Sequence, residues 1–111
     1  MARKGPDLKK LVALRRQKAE QALALLQADI RAGEEALANL QAELASLDKA
    51  TGDFGAFSLA HRHGRPGALL ARISETEAQI TENRARLPAM RDAVKAALHS
   101  EQRLSDLEAG R

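Results

Sequence analysis

Two columns of mostly apolar residues, each repeating every seven positions, run through residues 8–47. Leu23, Ile30, Leu37 and Leu44 form one, and Val12, Ala19, Leu26, Gly33, Leu40 and Leu47 the other. This is the a/d seam of a coiled-coil helix, sustained for about five heptads, and such a stripe must be covered by a partner helix. The chain carries a matching pattern further on. Ile73, Ile80, Leu87 and Val94 repeat at the same interval beside a column of Leu69, Thr76, Asn83, Met90, Ala97 and Leu104. Two such patterns joined by one Gly-rich segment predict an all-α fold, a long antiparallel two-helix coiled-coil hairpin spanning residues 1–111 as a single unit. The same seam leaves open pairing between two chains.

The element boundaries follow from breakers and caps. Gly5-Pro6-Asp7 is a helix start, because Pro is tolerated in a first turn and Asp7 complements the positive end of the helix dipole, so helix 1 is expected over about 6–50. Thr51–Gly67 holds Gly52, Gly55, Gly64, Gly67 and Pro66, which predicts a connecting loop over 51–67, longer than an antiparallel pair needs. Helix 2 is expected over about 68–108, with Gly110 as its stop. Pro88 lies inside it, lacks a backbone donor and crowds the carbonyl of Arg84; no capping residue precedes it, so a kink is expected rather than a break. Paired residues whose numbers sum to about 117 would place Leu44 on Ile73, Leu37 on Ile80 and Leu23 on Val94. Gly33 would then face Asn83 and Arg84, where a small residue opposite a buried Asn helps to fix the register.

Composition supports a coiled coil over a globular core. Ala, Glu, Lys, Leu and Arg occupy 67 of the 111 positions, and Phe54 and Phe57 are the only aromatics. The absence of Cys removes disulfides, thiolate catalysis and Cys-based metal sites together. Leu11–Leu14 is too short for a signal-peptide core, and no apolar run approaches the roughly 20 residues of a membrane span. A soluble, cytoplasmic protein is expected. His61 and His63 are the only ligand-like pair, and on a helix that spacing points the rings apart with no carboxylate cluster to complete a site. No phosphate-cradling Gly motif is present. A two-helix hairpin encloses no pocket for catalysis, so no catalytic, metal or cofactor-binding residue is assigned and the protein is read as non-enzymatic.

The net charge of +3 is uneven. Residues 1–20 hold seven Lys/Arg against Asp7 and Glu20, whereas residues 21–50 sum to −3. The basic end invites nucleic acid, but stacking aromatics are missing and acids balance the bases of helix 2, which makes a nucleic-acid partner the weaker reading. Leu14 and Leu25 fall outside the seam columns, as ordinary surface leucines or as part of a partner-binding face. Phe54 and Phe57 are placed where the hairpin reverses, either capping the coiled coil or forming a docking tip.

The pattern Leu8-x-x-Leu11-x-x-Leu14-Arg15-Arg16-x-Lys18-x-x-x-Ala22, opening a long Ala/Leu/Glu/Gln-rich helix, resembles the stalk proteins of type III export systems, the flagellar FliJ and injectisome YscO-like coiled-coil family. What the resemblance implies is an antiparallel coiled coil whose paired termini enter a hexameric export ATPase ring. Its other end would meet the membrane export gate or export chaperones, so that the protein sits in the cytoplasm at the periphery of a membrane-embedded machine. By position, Leu8, Leu11, Val12, Arg15, Arg16 and Lys18 would belong to the ring-facing end. At 1.5 Å per residue, arms of about 40 residues span roughly 60 Å, long enough to link two machines. The alternative in another class is a generic coiled-coil adaptor that self-associates through the same seam.

Overall fold

A computed structural model describes residues 4–50 and 64–110, with side chains over 7–49 and 64–110. It contains two long helices, α1 (Lys4–Ala50) and α2 (Arg65–Ala109), which pack against each other as a helical hairpin. Good helix formers fill both helices, and each apolar column recurs on one face, so propensity and burial demand the same conformation. The loop tip, with Phe54 and Phe57, lies outside the described residues.

Both helices start slightly earlier than expected. α1 already includes Lys4, since a Pro in a first turn sacrifices no intrahelical bond. α2 begins at Arg65 instead of about 68 for the same reason: Pro66 sits in its first turn. Gly64, at φ 66°, takes the left-handed conformation that only Gly adopts without cost, and its carbonyl accepts the first bond, from Ala68 N at 3.0 Å. At the other end Gly110 N donates to Asp106 O at 3.0 Å and closes α2. Pro88 does not break α2, which is continuous through it.

The chain divides into two compact units. Residues 1–28 with 85–111 form the terminal unit, and residues 29–84 the second. On α2 the division falls after Arg84, the residue whose carbonyl Pro88 leaves without its usual donor.

In the second unit, Leu40, Leu69 and Ile73 form one buried cluster, with Leu37, Leu44 and Leu47 packed against it. Leu69 is fully buried. Truncating such a leucine to Ala costs about 2–5 kcal/mol. Ile80 packs on Gly33 while lining one groove with Leu37, and Arg84 pairs with Glu34 beside Gly33, in keeping with the expected register of about 117. Gly33 is therefore a close-approach point. Asn83 is buried but is met by its own helix, Gln79 Nε2 lying 3.4 Å from its Oδ1. Thr76 disposes of its hydroxyl in a similar way, donating to the Arg72 carbonyl at 2.7 Å. Arg84 pairs with Glu34 and Arg65 with Glu43 across the two helices, on opposite flanks of the seam.

In the terminal unit, Leu26 and Ala97 are buried, and Val12, Ala19, Leu23, Leu87, Met90, Val94 and Leu104 are half-buried. Every column residue named from the sequence in either unit is thus buried or half-buried. Where the columns run out of apolar residues, ion pairs take over: Arg16 meets Glu101 and Lys9 meets Glu108, each pair at numbers summing to 117. No helix of the described residues is long and apolar enough to cross a membrane.

Candidate functional site

The candidate residues of α1 fall into two groups. Leu8, Leu11, Arg15 and Lys18 are exposed, whereas Val12 and Arg16 are half-buried at the seam. Val12 belongs to the column that faces α2, so its burial is structural. Arg16 occupies the position seven residues before Leu23, and there it is held by two carboxylates.

The geometry at Arg16 is close-packed. Nη1 donates to Glu20 Oε1 at 2.7 Å along α1, and Nε lies 2.8 Å from Glu101 Oε1 on α2. The Nε atom is shut off from solvent yet makes no well-directed hydrogen bond. Its contact with Glu101 is therefore short but poorly directed. The close contact with Glu101, then its charge, outweighs the cost of burial, and with Glu20 these hold the guanidinium above its ordinary pKa. Arg16 is thus a fixed cation of the seam. Lys9 behaves alike: its Nζ is 2.8 Å from Glu108 Oε2, and that hydrogen bond, followed by the charge of Glu108, raises its pKa.

Arg15 and Lys18 carry no such partner among the described residues, and their charges stand in solvent beside leucine. Leu8, Leu11, Leu14 and Leu25 are 47%, 59%, 53% and 67% exposed. With Leu98 and Leu107 of α2, the terminal unit displays six of the seven large hydrophobics exposed among the described residues; Leu70 is the other. Charge follows the same division. The terminal unit holds twelve Lys/Arg against six Asp/Glu, a balance of +6, while residues 29–84 hold six against nine, a balance of −3.

A monomeric surface scatters single leucines freely, but a cationic unit that concentrates them has the composition of a docking surface. Leu14 and Leu25 were visible in the sequence as leucines outside the columns. Leu98 and Leu107 were not singled out, although each directly flanks a column position, after Ala97 and before Glu108 respectively.

The described residues show no group of three or more His, Asp or Glu able to hold a metal ion. Their depressions are open surface grooves, such as one along α2 between Lys95 and Ser105 and one between the helices lined by Lys9, Ala13 and Leu104. What the arrangement can do chemically is bind: it offers apolar area and positive charge together. None of the protein-family models, curated proteins or solved structures compared with this chain matches it.

Proposed function

We propose that the protein is a non-enzymatic coupling stalk of a type III protein export apparatus. Its terminal unit enters a hexameric export ATPase ring, and the rest of the molecule meets the export gate or export chaperones. The observation that supports this reading is the concentration of exposed leucine and unpaired positive charge in the unit that contains both helix ends. A cationic surface of this kind speeds encounter with acidic partners in a salt-dependent way. The reading joins that surface to the sequence resemblance stated above; the flagellar or injectisome context comes from the resemblance alone.

The adaptor reading, self-association through the seam, is weakened by the fold. The columns that would serve it are already occupied within one chain.

The test is stimulation of the cognate ATPase by the wild type and by Arg15→Glu with Lys18→Glu, at low and moderate salt. Arg16 is unsuitable for charge reversal, because a carboxylate there would face Glu20 and Glu101 and loosen the seam. Loss of stimulation at unchanged helicity supports the proposal; equal stimulation by both proteins removes the basic face from the mechanism.

A further inference from the structure

Six residues of α1 define a second face that its pairing with α2 leaves uncovered. At 3.6 residues per turn, Leu8, Leu11, Leu14, Arg15, Lys18 and Leu25 all project within about 60° of the Leu11 direction. All six are exposed. Within it Leu11, Lys18 and Leu25 stand seven residues apart, and so do Leu8 and Arg15. That interval is the one at which a neighbouring helix packs. The neighbouring column Val12, Ala19, Leu26 belongs to the occupied seam, so this second column runs beside it and remains free.

The charges in the middle of this face, Arg15 and Lys18, are positive, and its carboxylates, Asp7 and Asp29, stand at its two ends. Between residues 7 and 28, α1 carries two carboxylates. Asp7 lies at the outset of the face, and Glu20 is bound to Arg16. Lys18 sits in line between Leu11 and Leu25 and has no ion-pair partner among the described residues. A helix laid along this column would bury Lys18 at its centre unless it supplied an opposite charge, and an uncompensated buried charge is strongly unfavourable.

We infer that this face docks a third helix, contributed by another protein: an amphipathic helix with apolar residues at heptad spacing and an Asp or Glu set against Lys18 and Arg15. The inference does not depend on the export reading. A second copy of this chain is disfavoured, because matching the face to itself would juxtapose Arg15 and Lys18 with their own counterparts, and like charges across an interface cost several kcal/mol. The acidic unit of a second copy offers only Leu70 as an exposed large hydrophobic among the described residues. An anionic bilayer is disfavoured too: an interfacial helix keeps its cations on the polar side and its apolar residues together, whereas here Lys18 interrupts the leucines.

The experiment uses the whole chain and a synthetic 28-residue helix with Leu at its a and d positions and Glu at the flanking ones. A second peptide replaces every Glu by Lys. Binding of the acidic peptide and not the basic one is expected, with at least a tenfold loss, about 1.4 kcal/mol, in Leu11→Ser with Leu25→Ser and in Lys18→Glu. Helicity should stay at the wild-type level in both, and Leu70→Ser should bind normally. Equal binding of the two peptides would overturn the inference, as would indifference to the Leu11 and Leu25 changes, which would mean that the peptide has invaded the seam. So would association with vesicles containing anionic lipid, or concentration-dependent dimerisation, in preference to peptide binding, if abolished by the same leucine changes.

Discussion

A Cβ placed on Gly33 would lie 2.9 Å from Cγ1 of Ile80, closer than real side chains approach, so the two helices meet here at a distance that only Gly allows. Gly costs about 1 kcal/mol relative to Ala inside a helix. Its presence in an otherwise larger-residue column is explained by Ile80, which fills the space a side chain would take.

Gly33→Ala is therefore expected to lower the melting temperature although it improves helix propensity. Overpacking typically costs about 1–3 kcal/mol, which exceeds the propensity gain at all but the low end of that range. The sign should reverse once Ile80 is trimmed: in an Ile80→Ala background, Gly33→Ala should stabilise. A thermal-denaturation double-mutant cycle measures this coupling. Additive effects would show that the close approach has no energetic consequence.

A disulfide test addresses the chain's path. Gly33→Cys with Ile80→Cys should crosslink within a monomer under mild oxidation, because adjacent seam positions bring Cβ atoms into the roughly 3.5–4.5 Å range a disulfide needs. Non-reducing gels at low protein concentration read the result. Only intermolecular crosslinks would place the two halves of the seam on different chains.

The Arg16–Glu101 pair occupies seam positions with a buried Nε that lacks a directed acceptor. Replacing both with Leu should raise the melting temperature, since apolar side chains continue the column without desolvating charge. Glu101→Ala alone should lower it by leaving the guanidinium half-buried beside Glu20 only.

The Lys9–Glu108 pair has a pH signature. Its folded pKa is raised, so its contribution is fully present below the unfolded Lys value of about 10.4 and is lost as pH rises through the folded value. Melting curves of wild type and Lys9→Met should differ by a constant amount from pH 7 to 9 and converge only as pH rises past the unfolded Lys value and through the raised folded one. A difference already vanishing by pH 9 would contradict the pairing.

Gly67 presents the opposite case to Gly33. It lies in α2 with nothing within 4 Å of the site a Cβ would take. Gly67→Ala should therefore stabilise by up to about 1 kcal/mol, less if the first turn frays. A fall in melting temperature would mean that the position is not helical in solution.

Much of this molecule was legible from residue spacing alone. Heptad columns dictated which faces of both helices are covered, and the charged residues at positions 9, 16, 101 and 108 extend those same columns. The α-helix has one period, so an apolar column announces its buried face without reference to any partner. Leu14 and Leu25, which fall outside the columns, are exposed as that placement implies. The register expected from spacing, residue sums of about 117, is the one at which Arg16 meets Glu101 and Lys9 meets Glu108. What spacing did not reveal was the close approach: Ile80 reaches into the gap at Gly33, the one position in its column with no side chain to fill it. The state of Arg16 also depended on tertiary structure. Its position in the sequence allowed the head to reach water, but Glu101 from the other helix holds it in the seam, a contact that only folding brings together.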